Sequence, residues 1–199
     1  FIHMAAIASI SEASKSTKKT YLINTLSSIK LLKLIKRLNL SHLKYFLFIS
    51  SSHVYKPSFN PISENSKKLP ASIYGHSKLK VEKYINKNTK NFNFQIGVAR
   101  IFNYYSKDQK KGFFIPDIKK KISYSKKKIY FEKVNTFRDY SNIDFINKIL
   151  YFMIKNKISK PLNVGSGKSI NLKNIINKIK KKMNSNIKID FEKKKYPGL

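Results

Sequence analysis

Apolar and polar positions alternate along this chain in blocks that read as strands and helices in turn. Phe1-Ile2-His3-Met4 is an apolar stretch running into small residues, Ala5-Ala6, like a buried strand entering a loop. Between Ser9 and Asn39, apolar residues at 22, 23, 26, 29, 31, 32, 34, 35 and 38 recur at helical spacing and predict one long amphipathic helix. Tyr45-Phe46-Leu47-Phe48-Ile49 is an unbroken apolar run that stops at Ser50-Ser51-Ser52. Such a run suits a parallel strand covered on both faces, whose carboxyl end opens onto a ligand crevice. A loop from Lys56 to Ser72 carries prolines at 57, 61 and 70. A helix is then expected over Tyr74–Asn86, and a strand over Phe94–Ala99 that ends at Arg100-Ile101-Phe102-Asn103. Hydrophobic strands alternating with helices predict an α/β fold with a parallel sheet.

Beyond residue 104 the pattern loosens into what a smaller lobe would show. A helix is expected over Phe113–Ile122, regular from Pro116, then a strand over Lys127–Phe131 and a helix within Asp139–Asn156. A strand at Pro161–Val164 and a helix over Asn171–Met183 follow. The expected division is 1–103 for the sheet domain and 104–199 for the lobe, with the helix near 140–156 packing back on the sheet. No internal repeat is visible.

A chain of 199 residues suffices for one such domain with a real core. The absence of cysteine excludes disulfides, thiolate metal sites and cysteine nucleophiles, and no metal site is expected. No apolar run approaches the ~18 residues of a membrane span, and FIHMAAIASI lacks a basic leader, so the expectation is a cytoplasmic protein without a membrane partner. The formal net charge of +32 changes the picture less than its size suggests. Dense positive charge favours polyanions through counterion release. Yet arginine, whose fork suits phosphate and base recognition, stands only at 37, 100 and 138 among 42 basic residues. Lysine travels with Asn, Ile, Phe and Tyr, as in a genome drifting toward A/T-rich codons. Codon drift and a selected polyanion surface both fit, nucleic acid being the less favoured partner. A small anionic substrate would gain from the same field. The lysine clusters at 119–121, 126–128, 180–182 and 193–195 read as solvated helix ends and faces.

Three stretches carry candidate chemistry. VGSGKS at Val164–Ser169 suggests a phosphate loop, but the required upstream glycine is Leu162, so a glycine turn is expected. Ser50-Ser51-Ser52 either satisfies a loop backbone or holds a hydroxyl at the sheet's carboxyl edge. Tyr74 and Lys78 are four apart, hence on one helix face, where an ammonium would lower the phenol's pKa and fit it for proton transfer. In so lysine-rich a chain that spacing alone proves little.

The combination says more. A serine cluster closing a strand, a proline-containing loop and Tyr-x-x-x-Lys opening the next helix resemble the short-chain dehydrogenase/reductases. FIHMAAIASI, NTLSSIKLL, FLFISSSHVY, PISENS, PASIYGHSK, ARIFN, FRDYSNIDFI and LNVGSGKSINL follow the order of the extended, nucleotide-sugar branch, the NAD-dependent epimerase/dehydratase family. The resemblance implies a Rossmann-type parallel sheet with a C-terminal substrate lobe, NAD or NADP as cofactor, a nucleotide-diphosphate sugar as substrate and a homodimer. It implies that Ser51 hydrogen-bonds the sugar oxygen, that Tyr74 is the acid/base, and that Lys78 binds the nicotinamide ribose and lowers the tyrosine pKa. It places Ala5, Ala6 and Asn24 along the dinucleotide. Ser52, His53 and Asn103 would face the sugar nucleotide, and Arg138 its diphosphate; a structural pair of Arg138 with Asp139 or Asp144 is the competing reading.

Departures narrow the activity. The family's glycine-rich loop and first strands would lie upstream of Phe1, so the chain is expected to match the middle and later part of a longer enzyme. His53 stands where an acidic or small residue is usual, and no carboxylate neighbours it, which disfavours 4,6-dehydration. A 4-ketoreductase or 4-epimerase is the leading expectation. A 4,6-dehydratase, and a truncated, inactive or polyanion-binding relative, are the alternatives. RIFNYYSKDQKKGFFIPDI most resembles GDP-6-deoxy-mannose reductases, although Ser106-Lys107 replaces their Gly-Pro and Lys56 a glycine. His53 is either a further acid/base or a polar loop residue. His3 is expected to be structural, and His42 and His76 to lie at the surface.

Overall fold

Strand β1 (Ile2–His3) pairs in parallel with β2 (Tyr45–Ser51), β2 with β3 (Gln95–Ile101) and β3 with β7 (Leu162–Val164). The computed structural model that shows this sheet describes residues 1–125 and 127–198; Lys126, part of one lysine cluster, lies outside the described residues. The apolar run at 45–49 works as expected because its side chains alternate between two covers. Phe46 and Phe48 pack with Leu32 and Ile35 of helix α3 (Ser27–Leu38) and with Val81 and Ile85 of α4 (Ile73–Asn88). Tyr45 and Leu47 face Ile146, Leu150 and Met153 of α6 (Ile143–Lys155). With both faces covered, the run stays apolar until Ser50 and Ser51 at the strand's carboxyl end.

The helix expected over 9–39 is broken into pieces. Helix α1 (Ile10–Lys15) stops at Ser16, whose extended backbone (φ −148°) lets its hydroxyl cap α2 (Thr17–Thr20). Tyr21–Leu26 then winds as a π-helical turn before α3 begins. That turn presents Asn24 and Thr25 inward, toward Ser77 of α4. His3 is buried against Ser28 of α3, Nε2 to Oγ 2.8 Å, while His42 and His76 are exposed.

In the remainder, β4 (Asn103–Tyr105) and α5 (Phe114–Tyr124) precede β5 (Lys128–Phe131). Pro116 falls in the first turn of α5, where a missing N–H costs nothing. The helix expected within 139–156 is α6, which starts at Ile143. Residues 137–142 form β6 (Phe137–Asn142), parallel to β4 and antiparallel to β8 (Ser169–Asn171), and the Asn142 side chain caps α6. Helix α7 (Leu172–Lys182) and β9 (Lys188–Phe191), which pairs with β5, complete a second core in which Ile118, Phe131, Leu172 and Ile176 meet. Among the described residues no helix is long and apolar enough to cross a membrane.

Candidate active site

Ser51 ends β2 in extended conformation, and the chain turns at once through a 3₁₀ turn at Ser52–Val54, where the Ser51 hydroxyl accepts from the His53 amide at 3.3 Å. Across the loop, Ser72 caps α4 by accepting from the Gly75 amide at 3.1 Å. Gly75 is what lets these two turns meet. A Cβ there would lie 2.1 Å from the His53 carbonyl oxygen and 3.0 Å from Pro70 Cβ, so only glycine allows the approach. The contact brings Tyr74 beside Ser51 and sets its ring edge-on to that of His53, centroids 5.9 Å apart.

Burial pushes the Tyr74 phenol up to about 12, with the Ser51 hydrogen bond opposing and Tyr104 adding to the rise. The expected depression by Lys78 does not appear. The ammonium of Lys78 donates to the Ile49 carbonyl at 2.8 Å and sits 5.0 Å from the centre of the Phe48 ring. Its own burial lowers it to about 8, against the raising influence of Glu82. Near pH 7 the pair is therefore a neutral phenol and a cation. His53 is lowered to about 4 by burial and by the field of Arg138, so its imidazole is neutral.

Ser51, His53, Tyr74 and Lys78 line one cavity of about 600 Å³, joined by Asn103 and Tyr104 of β4. The Nδ2 of Asn103 is buried there with no partner, a donor whose isolation costs about 1–3 kcal/mol unless a ligand accepts from it. Ala6 and Ser9, from the loop after β1, close another side, and Ser9 Oγ donates to the Gly112 carbonyl across the cavity's edge at 3.0 Å. Among the described residues no carboxylate lines this cavity.

The other candidates fall elsewhere. Ala5 is exposed and Ser52 buried, and neither lines the cavity. Asn24 is consumed structurally: its Oδ1 accepts from the Ile7 amide at 2.8 Å, and its Nδ2 donates to Ile7 O and Ser77 Oγ. It thereby ties the loop after β1 to α4. Arg138 lines a second cavity of about 670 Å³ that shares Phe102 with the first. Its guanidinium donates to Thr136 Oγ1 and the carbonyls of Phe137 and Pro197, not to Asp139 or Asp144. Asp139 has another task. Its carboxylate accepts from the amides of Ser166 (3.1 Å) and Gly167 (2.7 Å) and from Ser166 Oγ. The amides of VGSGKS that a phosphate would need are thus filled by the protein's own anion, and the stretch is a turn, with Gly167 at φ +73°. Tyr104 escaped the sequence reading, because only the pairing of β4 with β6 places it opposite Tyr74; an aromatic just past a strand's carboxyl end was the available signal.

A family model described as GDP-mannose 4,6 dehydratase matches residues 1–197. A dTDP-4-dehydro-6-deoxyglucose reductase of Escherichia coli is 32% identical over 147 residues, which are 72% of this chain but 46% of the reductase. The structure of RMD from Pseudomonas aeruginosa complexed with NADPH superposes with a TM-score of 0.86 at 22% identity, covering 99% of this chain and 69% of that one. UDP-glucuronic acid 4-epimerase from Bacillus cereus, in complex with UDP-glucuronic acid and NAD, gives 0.83 at 25% identity, over 99% of this chain and 63% of that one.

Proposed function

The chain belongs to the family described as GDP-mannose 4,6 dehydratase, and from that premise we propose that it is an NAD- or NADP-dependent nucleotide-sugar oxidoreductase, a 4-ketoreductase or 4-epimerase. The observation that carries the reading is the convergence of Ser51, Tyr74 and Lys78 on one cavity that no described carboxylate lines. Eliminating water from a sugar calls for a second acid/base beside the reacting carbons. Here that place holds the neutral imidazole of His53, so reduction of a keto carbon, or epimerisation at an alcohol carbon, suits the cavity better than dehydration.

The residues present fit a nicotinamide dinucleotide: Lys78 offers an ammonium at the carboxyl edge of the sheet, and Ala6 and Ser9 provide a small-residue wall. When bound, that cofactor supplies or accepts a hydride. Tyr74, neutral near pH 7, holds the proton that a sugar oxygen gains on reduction and takes it back in the reverse direction. Ser51 orients that oxygen by hydrogen bonding, and the unpaired Nδ2 of Asn103 donates to a sugar or phosphate oxygen. Arg138, with no carboxylate partner among the described residues, is placed for the diphosphate, and a sugar nucleotide would span the two cavities past Phe102. In this reading residues 1–103 carry the cofactor side and 104–199 the substrate side, and the active species is a homodimer.

The test is turnover of a nucleoside-diphosphate 4-keto-6-deoxy sugar with NADH or NADPH, followed at the nicotinamide absorbance, together with interconversion of UDP-sugar epimers. Tyr74→Phe should abolish whichever activity is found while leaving the circular dichroism spectrum and melting unchanged. Equal turnover by Tyr74→Phe would overturn the assignment.

A further inference from the structure

Two residues that the proposed chemistry does not use lie behind the site, linked to each other and to both cavities. Glu82 is on α4 one turn beyond Lys78 and two beyond Tyr74. Arg100 is near the end of β3, and the two are buried at 7% and 2% exposure. The guanidinium grips the carboxylate with a fork: Nη2 to Oε2 at 2.8 Å, and Nε 3.1 Å from each oxygen. Ser50, next to Ser51, donates its hydroxyl to Glu82 Oε1. On its far side Arg100 donates to Tyr55 OH at 2.7 Å and to the Glu64 carbonyl at 3.1 Å, and Tyr55 donates to Asn163 Oδ1 at 2.7 Å. Glu64 and Asn163 belong to the wall of the cavity that holds Arg138.

A buried ion pair of this kind is poor evidence for stability, since well-packed apolar residues often serve as well. What apolar residues would not supply is orientation and charge. We propose that Glu82 is the positioning residue of the Tyr74–Lys78 pair: held by Arg100 and Ser50, its carboxylate locks that face of α4 onto the ends of β2 and β3 and keeps Lys78 a cation. The proposal rests on reading Tyr74 and Lys78 as the reacting pair. Around Lys78 lie the Ile49 carbonyl and Phe48 ring from β2, His3 from β1, which feels its charge, and Tyr74 and Glu82 from α4 itself. Glu82 is the anion of this set. Its influence raises Lys78, while burial lowers it. Arg100 competes for the same carboxylate.

Opposite effects from the two halves of one ion pair follow, which simple bracing would not produce. The measurement is the titration midpoint of Lys78 in the full chain without ligand, by NMR on lysine labelled with ¹³C, its signal identified by loss in Lys78→Arg. Glu82→Gln should lower the midpoint by about one pH unit or more, because an opposite charge nearby has that leverage. Arg100→Met should raise it. Both variants shifting in the same direction, or an unchanged midpoint in Glu82→Gln, would overturn the proposal. If Glu82→Gln does not fold, Glu82→Asp decides: withdrawing the carboxylate by one methylene lowers the midpoint, and an unchanged value overturns the idea. Absence of Tyr74-dependent turnover would sink the proposed activity and leave this titration readable by itself.

Discussion

Replacing Gly75 with alanine sets two physical effects against each other, and the structure says which wins. In a helix, alanine is favoured over glycine by about 1 kcal/mol, so on propensity alone the substitution should stabilise α4. The new Cβ, however, would lie 2.1 Å from the His53 carbonyl oxygen and 2.9 Å from its carbon. Ordinary carbon–oxygen contact needs more than 3 Å, so backbone on one side or the other must retreat by about an ångström. The obstacle is main chain just past the end of β2, where no rotamer change relieves it. Overpacking of this sort costs about 1–3 kcal/mol, and an immobile neighbour places Gly75→Ala at the upper end. The expected net loss is about 2 kcal/mol, read as a lower urea midpoint with unchanged slope. Because the same shift moves Tyr74 from Ser51 and His53, turnover should fall about 100-fold, the usual penalty of a 1 Å misplacement. A Gly75→Ala protein as stable as wild type, or more so, would show that α4 and the turn after β2 are not in contact as described.

Lys78 makes stability depend on pH in a defined direction. Its folded pKa of about 8 lies below the ordinary 10.5, so the charged form costs stability in full below pH 8, and the cost fades as pH rises toward 10.5. Wild type should therefore gain on Lys78→Met by about 2 kcal/mol between pH 8 and 10 in denaturant titrations, and a flat difference would contradict the burial. Asp139→Ala should release the turn at 165–168, with faster amide exchange at Ser166 and Gly167 and a stability loss of about 1–3 kcal/mol; unchanged exchange would mean the carboxylate is not their acceptor. Arg138→Lys keeps the charge but loses the fork, so nucleoside-diphosphate affinity by calorimetry should fall about tenfold while Tyr74 stays as active at saturation. Equal affinity would remove Arg138 from the diphosphate site.

Much of the sheet was legible before any coordinates, and for a local reason. An apolar run such as 45–49 suits a strand covered on both faces, the serines at 50–52 mark its close, and Tyr74 and Lys78 share a face of any helix that holds them. Those features depend on neighbours within one turn or one strand. The strands at 103–105, 137–142 and 169–171 were not legible, being short and half-exposed and held by partners more than 25 residues away. The break at Ser16 lies in a polar stretch, 14–20, that precedes the apolar spacing, so that spacing carries no sign of it.

The candidate site divides in the same way. Sequence alone determined that a serine, a tyrosine and a lysine of the right kinds lie in the right order around the end of a buried strand. Tertiary structure decided what they are. It is the approach of Gly75 to His53 that seats Tyr74, and desolvation in the resulting cavity that raises the phenol to about 12 instead of lowering it. It is a hydrogen-bonded clamp across three segments that takes Asn24 out of the cavity, and a buried pair with Arg100 that brings Glu82 behind Lys78. Protonation and partnership depend on how much water and which charges surround a group, and those surroundings exist only once distant segments have packed.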